Sequence, residues 1–153
     1  LLNSDLKVYV SGNDREVRGT TAYAPIEDVS RGHEMISWHK VFIGKAWGNF
    51  SDSYLGGAYA DIVIASPFDI CTENFIECGS FDSFDLAKKH AKYLMTRFCR
   101  ALLFRNKNSQ DNSKDKWISV PLQTYEEEWW DKDIDTIDEK MFEKYIEISN
   151  EKA

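Results

Sequence analysis

Histidine, cysteine, lysine and the carboxylates are the side chains from which a catalytic or metal centre is built, and their spacing here argues against several familiar ones. His33-Glu34 is followed by Ser37 where the HExxH zinc arrangement needs its second histidine, and His39 comes too late. The cysteines Cys71, Cys78 and Cys99, with His33, His39 and His90, lack the paired close spacing of a structural zinc site. Gly44-Lys45-Ala46-Trp47-Gly48 sets glycines beside a lysine without the GxxxxGK[ST] spacing that wraps a phosphate in backbone amides. Asp69 and Glu77 approach the acid pair of a metal-dependent nuclease, but Gly79 stands where its lysine would follow; Asp5-Leu6-Lys7 offers an acid-x-lysine alone. No Asn/Asp-Pro-Pro-Tyr/Phe methyl-transfer motif and no glycine-rich cofactor loop occurs. The sequence therefore assigns no catalytic residue, no metal ligand and no cofactor to this chain.

Side chains that bind are better represented than side chains that react. The net charge is -7, yet residues 83–116 hold 9 Lys+Arg against 3 Asp+Glu, while residues 126–153 hold 4 against 11. A face that attracts polyanions is compatible with an acidic total if the fold holds the tail away from it. The plainer reading is a solvated helix face neutralised by the acidic tail. Asn106 to Lys114 is too polar to join a core. Amide and basic side chains contact phosphates and base edges, Asn or Gln suiting adenine and Arg or Lys suiting guanine; a solvated loop is the simpler alternative.

The elements that must position these groups read as strands first and helices later. Residues 6–10 and 17–24 are β-branched and aromatic around Gly12-Asn13, a hairpin pattern ended by Pro25. Asp28 to His39 reads as irregular or single-turn, and Lys40 to Lys45 resumes the strand pattern. Gly44, Gly48, Gly56 and Gly57 with Asn49, Ser51, Asp52 and Ser53 then make a long turn-rich stretch, the kind of segment that often binds. Tyr59 to Ala65 and Ile70 to Glu77 read as two more strands, separated by Ser66-Pro67. After Gly79, Asp82 or Ser83 can cap a helix running to about Phe104, with Leu86, Ala87, His90, Ala91, Leu94, Phe98, Ala101 and Leu102 forming one apolar stripe. Lys116 to Val120 reads as a short strand. Trp129 and Trp130, then Ile134, Ile137, Met141, Phe142, Tyr145, Ile146 and Ile148, recur at roughly helical intervals through the acidic end.

The expected fold is α+β and a single domain: a small mixed or antiparallel sheet from residues 1–82, packed by one long helix over 83–105. A polar loop and strand over 106–125 and an acidic C-terminal helix within 126–153 complete it. A hydrophobic content of 42% of the residues, with aromatics 14% of the chain, suffices for one packed domain in 153 residues. Mean hydropathy is -0.49 and no apolar run approaches the roughly 18 residues of a membrane helix. Leu1-Leu2-Asn3-Ser4-Asp5 has no initiator Met and no secretory pattern, which reads as a cut inside a longer protein. An odd number of cysteines without CxxC spacing fits a reducing, cytoplasmic compartment.

The order of short motifs carries a resemblance. Trp38-His39-Lys40-Val41-Phe42-Ile43-Gly44-Lys45-Ala46, Ser51-Asp52-Ser53-Tyr54, Ile70-Cys71-Thr72-Glu73-Asn74-Phe75, Gly79-Ser80-Phe81-Asp82-Ser83, Tyr93-Leu94-Met95-Thr96-Arg97-Phe98-Cys99-Arg100, Ser109-Gln110-Asp111 and Val120-Pro121-Leu122-Gln123 follow one another. This series, over residues 38–125, resembles the C-terminal region of adenine-specific DNA methyltransferases of type II restriction-modification systems. In that family the region follows the methyltransferase core and reads the DNA target. Asn112-Ser113-Lys114 departs from the Ala-Thr-Arg common there, and Thr124-Tyr125-Glu126-Glu127 from Asp-Phe-Ser, so the recognised sequence does not carry over.

The resemblance implies double-stranded DNA as partner, together with the methyltransferase core, and a nuclease where the parent is fused to one. S-adenosylmethionine is implied for the parent only. Lys40 and Lys45 become candidates for phosphate contacts. The stretch with Trp47, Asn49, Ser51, Asp52 and Ser53 would enter a groove or support a flipped base, with Trp47 as an ordinary core residue the alternative. Thr72, Arg97, Arg100, Arg105, Lys107, Gln110 and Lys114 complete the candidate DNA-binding set, with pairing of Arg97 and Arg100 to the acidic tail as the structural alternative. The competing function is a protein-interaction or scaffold domain of the same enzyme without direct DNA contact.

Overall fold

The computed structural model describes residues 5–10, 21–45, 62–106, 109 and 111–151. Strands β1 (Leu6–Tyr9) and β2 (Thr21–Ala24) pair antiparallel, Leu6 opposite Ala24. Two short 3-10 turns, Ile26–Asp28 and His33–Met35, lead into β3 (His39–Gly44), followed by β4 (Val63–Ala65), β5 (Asp69–Cys71) and β6 (Phe75–Phe81). These form two three-stranded sheets, β2-β1-β5 and β4-β3-β6. The first is mixed, because β5 runs parallel to β1, and the second is antiparallel throughout. The α+β class and the sheet-first order agree with the sequence.

Strand β3 explains why a single strand organises the chain. Val41 and Ile43 are fully buried on one face and Lys40 and Phe42 are also buried on the other, so the strand is covered on both sides. The Val41 face packs under the helices, and Phe42 meets Tyr9 of the first sheet edge to face at 6.1 Å. A bulge on β6, where Val41 opposes Gly79 but Phe42 opposes Glu77, leaves Cys78 as the extra residue. Glycine is required there, since a Cβ on Gly79 would lie 2.8 Å from the Phe81 ring and 3.2 Å from His90.

Three expectations are corrected. Ile70 to Glu77 is not one strand. A turn at Thr72–Asn74, closed by the Phe75 amide on the Thr72 carbonyl at 3.1 Å, sends β5 into one sheet and β6 into the other.

The helix expected over 83–105 is two, α1 (Phe84–Met95) and α2 (Arg97–Asn106). Ser83 caps α1, accepting from the Leu86 amide. At the break Thr96 is extended; its hydroxyl donates to the Tyr93 carbonyl at 2.6 Å and accepts from the Cys99 amide at 3.1 Å. The carboxylate of Asp138 accepts from the Phe98 amide at 2.9 Å and pairs with Arg97. A local hydroxyl and a distant carboxylate thus satisfy the amides of the first turn of α2.

Lys116 to Val120 is not a strand. Residues Lys114–Ser119 form 3-10 turns, drawn back by the Trp117 indole donating to the Asn112 carbonyl at 3.1 Å. The acidic end holds a turn, Glu128–Asp131, and the expected terminal helix α3 (Ile134–Glu151). Trp130, Ile137 and Met141 are fully buried, closing a core shared with Ala87, Leu94, Cys99 and Leu103. Among the described residues no helix is long and apolar enough to cross a membrane.

Candidate nucleic-acid interface

Three segments singled out in the sequence meet where β3 ends. The Lys45 amide donates to the Asn74 carbonyl at 2.8 Å, and the Lys45 carbonyl accepts from the Asn112 amide at 2.8 Å. The Asn112 side chain, itself fully buried, donates to the Gly44 carbonyl at 3.0 Å. The turn after β5, the end of β3 and the start of the 111–114 segment are therefore locked by main-chain hydrogen bonds, which act whatever the neighbouring side chains. Lys45 and Lys114 are exposed at this junction. Thr72 is half-buried beside it; its Oγ1, like Asp111 Oδ1, is buried with no hydrogen-bond partner among the described residues.

Asn112 was not among the candidates, and nothing in a polar run distinguishes the one amide that turns inward. Its position is informative, because a buried amide bonded to backbone fixes geometry and leaves recognition to its neighbours.

The remaining candidates divide. Lys40 leaves the set: it is only 4% exposed, and its ammonium donates to the carbonyls of Met35, Ile36 and Trp38 at 3.2, 3.1 and 2.6 Å. An ammonium has three donors, so none remains for a phosphate. Arg97 is held by Asp138, whose side chain is 2% exposed, and serves the helix break. Arg100 is half-buried on α2, while Arg105 is exposed on its last turn. Trp47, Ser51, Asp52, Ser53, Lys107 and Gln110 lie outside the described residues.

The basic helix face is largely engaged by the acidic end of the chain. Lys89 bridges Asp85 at 3.0 Å and Asp131 at 3.3 Å, with the Asp85 hydrogen bond first among the causes that raise its pKa. Lys92 donates to the carbonyls of Lys132 at 2.6 Å and Trp130 at 3.4 Å. Lys88 is exposed.

The buried titratable groups are built for structure. His90 Nε2 donates to the Cys78 carbonyl at 3.0 Å, which makes Nδ1 the acceptor for the Tyr125 hydroxyl. Burial pushes the His90 pKa down to about 4, so the ring is neutral. Burial also raises the Cys71 thiol to about 11 and the Cys78 thiol further. Neither sulfur is a ready nucleophile. Among the described residues no three His, Cys, Asp or Glu side chains converge on a point that could hold a metal ion.

Comparison of the chain with protein-family models, with curated proteins and with solved structures finds no match.

Proposed function

We propose that this chain is a DNA target-recognition domain of a bacterial restriction-modification enzyme whose parent is an adenine-N6 DNA methyltransferase, alone or fused to an endonuclease. The observation that supports it most is the junction at Lys45. Motifs distant in sequence, Ile70–Phe75, Trp38–Lys45 and residues 111–114, are drawn to one edge by hydrogen bonds through Asn74 and Asn112. That edge displays Lys45 and Lys114, and residues 46–61 follow directly from it. Phosphate contacts from such cations set register on a duplex, while amides and short polar side chains read base edges. S-adenosylmethionine belongs, in this reading, to the methyltransferase core.

The test is fluorescence anisotropy of the chain with a mixed-sequence duplex over a salt series. Affinity is expected to fall steeply with salt as phosphate contacts release counterions. A Lys45→Glu/Lys114→Glu double variant is expected to lower both the affinity and the salt slope, the slope by about 1 for each phosphate left without its cation. Binding that ignores salt, or that the double variant retains unchanged, counts against the reading.

A second reading has its own support. The contacts of Lys89, Lys92 and Arg97 with the acidic end favour a protein-interaction or scaffold domain of the same enzyme. Association with the methyltransferase core in the absence of DNA binding at low salt is its signature.

A further inference from the structure

The two sheets do not close completely on one another. Between them lies a cavity of about 350 Å³, at the small end of the roughly 300–1,000 Å³ typical of ligand sites. Val8, Ile36, Phe42 and Ile70 give it apolar walls, and the two strand pairs bring Lys40, Asp69 and Glu77 to its lining. The exposed residues Asp28, Arg31 and Glu73 form part of its rim.

Charge decides what such a space accepts. Four of its lining residues are acids, Asp28, Asp69, Glu73 and Glu77, against the two bases Arg31 and Lys40. The Lys40 ammonium is consumed by three backbone carbonyls, so it balances charge without offering a donor to a ligand. Asp69 Oδ2 accepts from the Ser66 amide at 3.0 Å, and Glu77 Oε1 accepts from the Ser80 hydroxyl at 2.8 Å. Both are thereby oriented, and a carboxylate has acceptor capacity on both oxygens. Thr72, also on the lining, has its buried hydroxyl without a partner among the described residues. A buried unsatisfied hydroxyl is costly, and a ligand that bonds it recovers that cost.

Two ligand classes fit poorly. A phosphate or carboxylate would enter against the acidic lining, where the ammonium of Lys40 is already engaged. A divalent metal wants a close cluster of acid, His or Cys ligands, which the described residues do not make. We propose that the inter-sheet cavity binds a small organic cation, an ammonium on an apolar or aromatic body, with the charge between Asp69 and Glu77, the Thr72 hydroxyl as a further acceptor and the body against Phe42 and Ile70. This site shares Thr72 with the DNA-binding candidates but requires no contact with DNA.

The experiment is isothermal titration of the whole chain with 2-phenylethylamine, beside 3-phenylpropionate as a similarly sized anion. Saturable binding of the amine and none of the acid is expected. Glu77→Gln is expected to weaken the amine roughly tenfold or more, the scale of a charged hydrogen bond, with its far-ultraviolet circular dichroism unchanged. Thr72→Val, which preserves shape, is expected to weaken it several-fold, and decides the matter if Glu77→Gln does not fold. No saturable binding at millimolar amine, equal binding of the acid, or unchanged affinity in the folded variants overturns the proposal.

Discussion

At the scale of single residues, the chain uses its unusual side chains for architecture. His90 shows this through its titration. It is neutral in the folded state with its pKa near 4, against 6.5 as the ordinary value, so the unfolded chain binds the extra proton first. The sign follows: stability is highest above the unfolded pKa, falls as pH drops below about 6.5, and stops falling from this cause once pH passes below about 4. Between pH 7.5 and 4.5 this group removes about 2 kcal/mol or slightly more. Urea melts of the wild type and of His90→Gln at both pH values are expected to show the wild type losing more by about that amount. Asp138 is a second case, since it both caps the first turn of α2 and holds Arg97. Asp138→Ala is expected to cost about 1–3 kcal/mol in a urea melt. Asp138→Asn, which keeps an acceptor for the Phe98 amide, should cost less.

At the scale of elements, what was legible in the sequence was periodicity, and what was not was interruption. Of the apolar stripe, Ala87, His90, Ala91, Leu94 and Phe98 are buried as expected, but Leu86 and Leu102 are half-buried, Ala101 is exposed, and Leu103, outside the stripe, is the fully buried residue of the last turn of α2. The break at Thr96 stays hidden because α2 keeps its buried residues on the same core, so the spacing barely registers a change of axis. Its cause is a carboxylate far along the chain, which no local window contains. The strand over Ile70 to Glu77 failed for a similar reason: both halves have strand composition, and only pairing with β1 and with β3 tells them apart. Lys116 to Val120 has strand composition but no neighbouring strand among the described residues, and a β-segment without a partner has no ladder to join. Of the candidate site, the meeting of Lys45 with the 111–114 segment was readable only as a shared resemblance, and Lys40 was misjudged because burial of a lysine amid three carbonyls leaves no mark in sequence.

At the scale of the molecule, the acidic end is part of the core. Trp130 meets the rings of Tyr125 at 4.8 Å and Tyr93 at 5.9 Å edge to face, and Ile137 and Met141 of α3 are fully buried. Removing residues 127–153 would expose this apolar surface together with the amides that Asp138 caps. The shortened chain is expected to lose its cooperative thermal transition and to bind a hydrophobic dye, whereas a single change at Leu122, 96% exposed, should move stability by less than about 0.5 kcal/mol. The antiparallel neighbours β3 and β4 have a different consequence. Lys40, Val41 and Phe42 sit opposite Ala65, Ile64 and Val63, so β4 is held against β3 by a main-chain ladder. Main-chain pairing does not depend on side-chain identity, so descendants of this gene can exchange residues along these two strands and keep the frame that carries Lys45, provided Val41 and Ile43 stay apolar.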